Sequence, residues 1–291
     1  MNGNKPVMLC SDLDRTIIPN GHQPESRQAR PLLRQLAQRP ELILVYVTGR
    51  DTMLITEAIK TYRLPLPDLV VGDVGTSIYK VYGDPENPGF DQWDNWKDEI
   101  ALDWGGKSAS ELANIIKDFK MLRLQEPEKQ KDCKLSFYAD AAADLHLAAR
   151  RIEKRMKEHG VRASVITSID EIKNTGLVDI LPERATKVHA VCYIINKMRI
   201  HKSRVVYAGD SGNDLPALTS GLQAVLVKNA ANEVAEQALA ILSEKRLQAM
   251  LYMAKGGFYG MNGNYSAGVL EGLAHFVPEA GKWIKQEVGS R

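Results

Sequence analysis

A chain of 291 residues is long enough for one large domain or for a core carrying a second, smaller unit, and two packed units are the expectation. Its 44% hydrophobic and 25% charged residues sit close to ordinary globular usage, which excludes a disordered, collagenous or fibrous chain. Lys and Arg number 38 against 36 Asp and Glu, so the formal charge of +2 gives no ground for nucleic acid or an anionic membrane as partner, and an anionic ligand has to be met by local charge.

The opening MNGNKPVMLCSDLD passes from a short polar lead into a strand-like run, without the apolar core and cleavage site of a signal peptide. Residues 7–12 read as a short buried strand, and apolar Leu32, Leu33 and Leu36 place a helix over about 27–38. The run 42–48 predicts a second strand ending at Gly49. Asp51 is positioned to cap a helix over about 52–62, with further strands at 68–72 and 77–81. This alternation predicts a parallel sheet with crossover helices.

The stretch GDPENPG at 83–89 is turn-rich and reads as a hinge between units. Beyond it come helices near 93–102 and 108–122, a strand at 134–140, a helix at 143–159 and a strand at 162–168, an order that suggests an α+β insert. The segment 176–181 reads as the return to the core, followed by a helix at 186–197, a strand at 204–209, a helix near Asp214 and a strand at 222–227. The expected architecture is therefore an α/β core built from residues 1–84 and 175–291, interrupted by a smaller α+β cap at 85–174. No apolar run approaches the roughly 18 residues of a membrane span. Cys10, Cys133 and Cys192 are odd in number and widely spaced, against a disulfide framework or zinc site, so the expectation is a soluble protein of the reducing cytoplasm.

The first strand ends in Asp12-Leu13-Asp14-Arg15-Thr16. Two carboxylates one residue apart at the carboxyl end of a strand, where open α/β sheets bind ligands, suit a nucleophile that attacks phosphorus and an acid/base that serves the leaving oxygen and then water. The bland alternative is a turn cap beside a solvated strand end. The second strand ends in Val47-Thr48-Gly49-Arg50, whose hydroxyl and backbone N–H suit phosphate oxygens, or an ST-type turn. Gly209-Asp210-Ser211-Gly212-Asn213-Asp214 sets two acids four apart around a tight turn, an oxygen-rich pocket for Mg²⁺ or an acidic helix cap without metal. Lys187, near a helix start after Asp179-Ile180-Leu181-Pro182, is placed to offset phosphate charge. Asp12, Asp14 and Asp210 would repel one another unless a divalent cation and Lys187 oppose them.

With DLDRT, VTGR, Lys187 and GDSGND in that order, the chain resembles the haloacid dehalogenase superfamily of phosphatases. Through Gly75-Thr76-Ser77-Ile78-Tyr79, Lys134-Leu135-Ser136-Phe137-Tyr138, Val178-Asp179-Ile180-Leu181-Pro182 and the late segment YSAGVLEGLAHF at 265–276, it is similar to the sucrose-phosphatase group. The resemblance implies a Rossmann-like core with an inserted cap that closes over substrate, and release of sucrose from sucrose 6-phosphate with Mg²⁺ as cofactor. It implies Asp12 as nucleophile and metal ligand, Asp14 as general acid/base with its carbonyl on the metal, Thr48 and Lys187 on the phosphoryl group, Asp210 on the metal with Asp214 beside it, and Asn213 on phosphate or sugar. Gly49 and Arg50 join the substrate side, and Lys134, Tyr138, Gln125 and the tryptophans at 93, 96 and 104 are cap candidates, the tryptophans reading more readily as packing. Mannosylfructose phosphate, glucosylglycerol phosphate and glucosylglycerate phosphate are rival substrates. A non-catalytic partner of a sugar-phosphate synthase is the rival class, and an active enzyme docked on that synthase is a further expectation. Arg15, where the family usually has Gly or Asn, and Val188, where Gly is common, depart from the pattern.

Overall fold

The apolar run at the start of the chain forms β1 (Val7–Ser11), all five of whose residues are buried. The structure is a computed structural model that describes residues 6–140, 143–170 and 174–289. It divides into two units, Met1–Gln92 with Lys187–Arg291, and Trp93–Thr186. The first unit continues with α1 (Ala29–Ala37), β2 (Leu42–Val47), α2 (Thr52–Tyr62), β3 (Leu69–Gly72), β4 (Ser77–Asp84) and β5 (Asn87–Gln92). The second holds α3 (Asp94–Ala101), α4 (Ala109–Ile115), β6 (Leu122–Leu124), β7 (Leu135–Asp140), α5 (Leu145–Glu158), β8 (Ala163–Asp170) and β9 (Thr175–Pro182). The first unit resumes with α6 (Lys187–Met198), β10 (Val205–Gly209), α7 (Leu215–Leu218), β11 (Gln223–Leu226), α8 (Asn232–Lys245), β12 (Leu251–Met253), α9 (Ser266–Phe276) and α10 (Pro278–Gly289).

The first unit is built on an eight-stranded sheet in the order β12-β11-β10-β1-β2-β3-β4-β5. The pairs from β12 to β3 are parallel, and β4 and β5 extend the edge antiparallel. Crossover helices cover parallel strands on both faces, which is why VMLCS, LILVYV and VVYAG read as continuous apolar runs rather than alternating ones. α1 turns Ala29, Leu32, Leu33 and Leu36 inward, an apolar stripe at helical spacing. Asp51 caps α2 as expected, its side chain accepting from the Leu54 N–H. Because β1 lies between β10 and β2, the strand order reverses at β1, and open α/β sheets bind ligands outside the carboxyl ends at such a switch point. Asp12, Thr48 and Asp210 each follow directly on the last residue of β1, β2 and β10.

The boundaries of the insert differ from those expected. Residues 83–89 are no hinge: Gly83 pairs with Pro88 and Asp84 with Asn87 across the β4–β5 hairpin. The Asp84 carboxylate accepts from the N–H groups of Glu86 and Asn87, an Asx turn that accounts for the composition. The division falls after Gln92 instead of at 84. At the far end, β9 pairs with both β7 and β8, so residues 175–182 belong to the insert and the core resumes at Lys187 rather than at 175.

The second unit is a four-stranded antiparallel sheet in the order β6-β7-β9-β8. α5 buries Leu145, Ala148, Ala149, Ile152 and Met156, and its core includes Trp104, Leu112, Ile116, Phe137, Val178 and Ile180. The helix expected over 108–122 stops at Ile115, and 122–124 form the edge strand β6. Trp96 and Trp104 are buried, as packing residues should be. No helix among the described residues is long and apolar enough to cross a membrane.

Candidate active site

Lys187 opens α6 and is only 5% exposed. Its ammonium donates to Asp12 Oδ1 at 2.7 Å, Asp214 Oδ1 at 2.8 Å and Asn213 Oδ1 at 3.2 Å. A buried ammonium is retained only where acceptors surround it, and three do. Asp214, fully buried, also accepts from the Tyr207 hydroxyl at 2.7 Å, from the N–H groups of Asp210 and Ser211, and from Ser211 Oγ at 3.2 Å. Its carboxylate is thereby the brace of the GDSGND turn. That approach requires Gly209: a Cβ there would lie 2.7 Å from Cβ and Cγ of Asp214. Thr16 Oγ1 lies 3.4 Å from Asp12 Oδ2 and 3.2 Å from Asp210 Oδ1, joining the ends of β1 and β10.

Three buried acids against one buried ammonium leave negative charge in excess. Burial, opposed by Lys187, pushes the Asp12 carboxyl up to about 7, and burial together with Asp214 pushes Asp210 up to about 6. Burial works against the charge on Lys187 too, but Asp12 and Asp214 outweigh it and raise its pKa. Carboxylate oxygens of Asp12, Asp210 and Asp214 come within 4.8 Å of one another. An all-oxygen donor set with surplus negative charge fits a hard divalent cation such as Mg²⁺. Five protein donors crowd the two oxygens of Asp214, against two each for Asp12 and Asp210, which therefore offer the more available carboxylates.

Asp14 is held apart from this cluster by its own partners. Arg50 grips it in a two-point fork, Nη2 on Oδ1 at 2.7 Å and Nε on Oδ2 at 2.9 Å, and Asn20 Nδ2 donates to Oδ1 at 2.8 Å. Burial disfavours the charged form, but Arg50 and Asn20 overcome it and hold the carboxyl below its ordinary value. Thr48 is buried and its Oγ1 accepts from the Arg50 N–H at 3.2 Å; Gly49 between them is exposed. The Thr48 carbonyl accepts from Val74 in a turn where Asp73 and Val74 have φ of 49° and 62°. Left-handed non-glycine residues are costly, and this pair supports the motif at the end of β2.

Of the expected residues, Asp12, Lys187, Asp210, Asn213 and Asp214 meet directly, while Asp14, Thr48 and Arg50 form a second linked group. Lys134 and Tyr138 lie in the other unit: Lys134 Nζ is 3.3 Å from Asp179 Oδ2, and the Tyr138 hydroxyl donates to Glu126 at 2.8 Å beneath the Arg123 guanidinium. Gln125 Nε2 donates to the Phe137 carbonyl. No motif announced the contacts of Thr16, Tyr207 or Asn20. Thr16 was in plain view within DLDRT, whereas Tyr207 read as one more apolar strand residue and Asn20 as loop.

A family model described as sucrose-6F-phosphate phosphohydrolase matches residues 5–277. A HAD-like hydrolase of Nitrosococcus oceani is 51% identical over 279 residues, covering 96% of this chain and 74% of that one. Sucrose-phosphatase 1 of Nicotiana tabacum is 28% identical, with 93% of this chain and 59% of that one covered, so the chain spans less than two thirds of that plant relative. Among solved structures, the sucrose-phosphatase of Synechocystis sp. PCC6803, determined with sucrose and phosphate, is 27% identical and superposes with a TM-score of 0.67 over 94% of this chain and 98% of that one. With its parallel core and the acids gathered at the ends of β1 and β10, this chain belongs to the sucrose-6F-phosphate phosphohydrolase family of haloacid dehalogenase-type phosphatases.

Proposed function

We propose that this protein is a Mg²⁺-dependent phosphatase that hydrolyses sucrose 6-phosphate to sucrose and phosphate through a phospho-aspartate on Asp12. The observation that carries the reading is the contact of a buried carboxylate at the carboxyl end of the central strand with a buried ammonium, Asp12 to Lys187 at 2.7 Å, beside Asp210. Family membership supports the phosphatase chemistry, and the family's description supports the substrate.

Asp12 and Asp210, with the Asp14 carbonyl and the support of Asp214, would hold the ion. Bound Mg²⁺ supplies positive charge against the phosphoryl oxygens and the Asp12 carboxylate. Lys187, the Thr48 hydroxyl and the backbone at Gly49 bind and orient the phosphoryl group, with Asn213 alongside, and Asp12 attacks phosphorus in line. The bond from phosphorus to the sugar oxygen breaks as the bond to the carboxylate forms, and Asp14 delivers a proton to that oxygen. Water activated by Asp14 then cleaves the acyl phosphate and restores Asp12. The Arg50 fork holds Asp14 in the ionised form that the second step uses. For the first step the carboxyl has to leave the fork, where the substrate's negative charge favours its proton. Sugar recognition falls to the insert, with Lys134 and Tyr138 as candidates.

A phosphate-release panel tests this reading: sucrose 6-phosphate against mannosylfructose phosphate, glucosylglycerol phosphate, glucosylglycerate phosphate and simple hexose phosphates, each with Mg²⁺ and with chelator. The expected result is the highest kcat/KM on sucrose 6-phosphate and loss of release with chelator. Preference for another ester would reassign the substrate, and hydrolysis of none would favour a non-catalytic module.

A further inference from the structure

Arg15 follows Asp14 with a backbone φ of 59°, in the left-handed region that a residue with a Cβ enters at a cost of about 1 kcal/mol. Four contacts fix it there. Its N–H donates to Asn20 Oδ1 at 2.8 Å, and its carbonyl accepts from Asn229 Nδ2 at 2.6 Å. Its guanidinium donates through Nη2 to the Asn229 carbonyl at 3.3 Å and brings Nε to 3.3 Å from Asp210 Oδ2. Asn229 is itself 3% exposed and accepts from the Tyr265 N–H at 2.7 Å, so the anchor is buried and held from both sides of its amide. The Arg15 side chain is 43% exposed, while Asp210 is buried at 4%.

Asp210 is thus approached on Oδ1 by the Thr16 hydroxyl and on Oδ2 by a cation. A divalent ion held by Asp210 would meet that guanidinium, and two positive charges do not share one carboxylate oxygen without cost. We propose that Arg15 is a positioning residue for the metal site, a built-in counter-cation that rests on Asp210, has to be displaced by the incoming ion, and so lowers the affinity of the protein for Mg²⁺. The proposal rests on the metal reading given above.

The test is an equilibrium titration of MgCl₂ into the full, metal-stripped chain by calorimetry, without substrate, for the wild type and for Arg15→Gly, Arg15→Gln and Arg15→Lys. Glycine accepts the positive φ without strain, so Arg15→Gly folds; Arg15→Gln keeps the backbone demand and removes only the charge; Arg15→Lys keeps a cation. The Gly and Gln variants are expected to bind Mg²⁺ about three- to fivefold more tightly, the order for a part-exposed ion pair that no longer has to break. The Lys variant is expected within about twofold of the wild type on the same grounds. A merely structural role for Arg15 predicts weaker binding in both uncharged variants. Binding in those variants no tighter than in the wild type overturns the proposal while leaving the metal reading standing. No uptake of Mg²⁺ by the wild type overturns both.

Discussion

Replacing Lys187 by Met removes the buried charge that three acceptors share while keeping a side chain of similar length. The wild-type ammonium lies 2.7 Å from Asp12 and 2.8 Å from Asp214 at 5% exposure, so solvent does little to screen the pair. Breaking such a pair by deleting one partner costs about 3–5 kcal/mol when the carboxylates left behind are charged. They need not stay charged. Asp12 already has its pKa pushed up to about 7 by burial with Lys187 opposing, and loss of Lys187 moves it higher. At pH 5 a proton replaces the missing cation and the cost falls to about 1–2 kcal/mol, the range for losing hydrogen bonds alone. At pH 8 the full penalty returns. Urea unfolding of the metal-free variant and wild type at several pH values should show a stability gap that widens with pH. A gap below about 1 kcal/mol that does not change between pH 5 and 8 would refute the charge argument, since each pKa unit is worth about 1.4 kcal/mol.

Because Asp12 and Asp210 are raised above their ordinary 3.8 to about 7 and about 6, their contribution to the metal-free fold is full below about pH 4 and is lost as pH climbs through 6 and 7. Protons and Mg²⁺ therefore compete for the same oxygens, and thermal-shift titrations should place the Mg²⁺ midpoint at least about tenfold higher at pH 5 than at pH 8, with a pH-independent midpoint as the contrary result. Gly209→Ala should displace Asp214 through its new Cβ, destabilising by about 1–3 kcal/mol and abolishing most turnover; circular dichroism melts and phosphate release follow it. Glu271→Ala should remove the buried carboxylate that accepts from the Tyr252 hydroxyl and from the N–H groups of Lys255 and Gly256, at a cost of about 1–3 kcal/mol; hydrogen exchange should rise first over residues 251–264.

The core was legible because its strands carry continuous apolar runs that end in short polar motifs, and the candidate site gathers at those ends. Val7–Ser11, Leu42–Val47 and Val205–Gly209 fell within a residue or two of their expected bounds, and Asp51 capped α2 as its position suggested. Three features escaped for three different reasons. GDPENPG has the composition of a linker and of a hairpin turn alike, and only pairing across Gly83–Pro88 and Asp84–Asn87 decides between them. The run 176–181 read as the return to the core because an apolar run does not announce which sheet it joins, and here it lies in β9, between β7 and β8. The stretch 244–264 carried no functional reading. It holds the end of α8, the short edge strand β12 and a glycine-rich loop in which Gly256, Gly257, Gly260 and Gly263 all have positive φ, pinned by Glu271 from the following helix. At the site, the motifs announced their acids but not the company each keeps. Nothing in DLDRT and VTGR says that Arg50 grips Asp14, nor that Arg15 would turn onto Asp210; both depend on loops brought together by the order of β10, β1 and β2.

The proposed reaction depends on Asp12 as the nucleophile at phosphorus. Rapid mixing of enzyme, Mg²⁺ and sucrose 6-phosphate, followed by an acid quench, borohydride reduction and peptide mass mapping, should convert residue 12, and no other aspartate, to homoserine by way of its acyl phosphate. An unmodified Asp12 peptide from a turning-over sample, or homoserine at Asp14 or Asp210 instead, would contradict it.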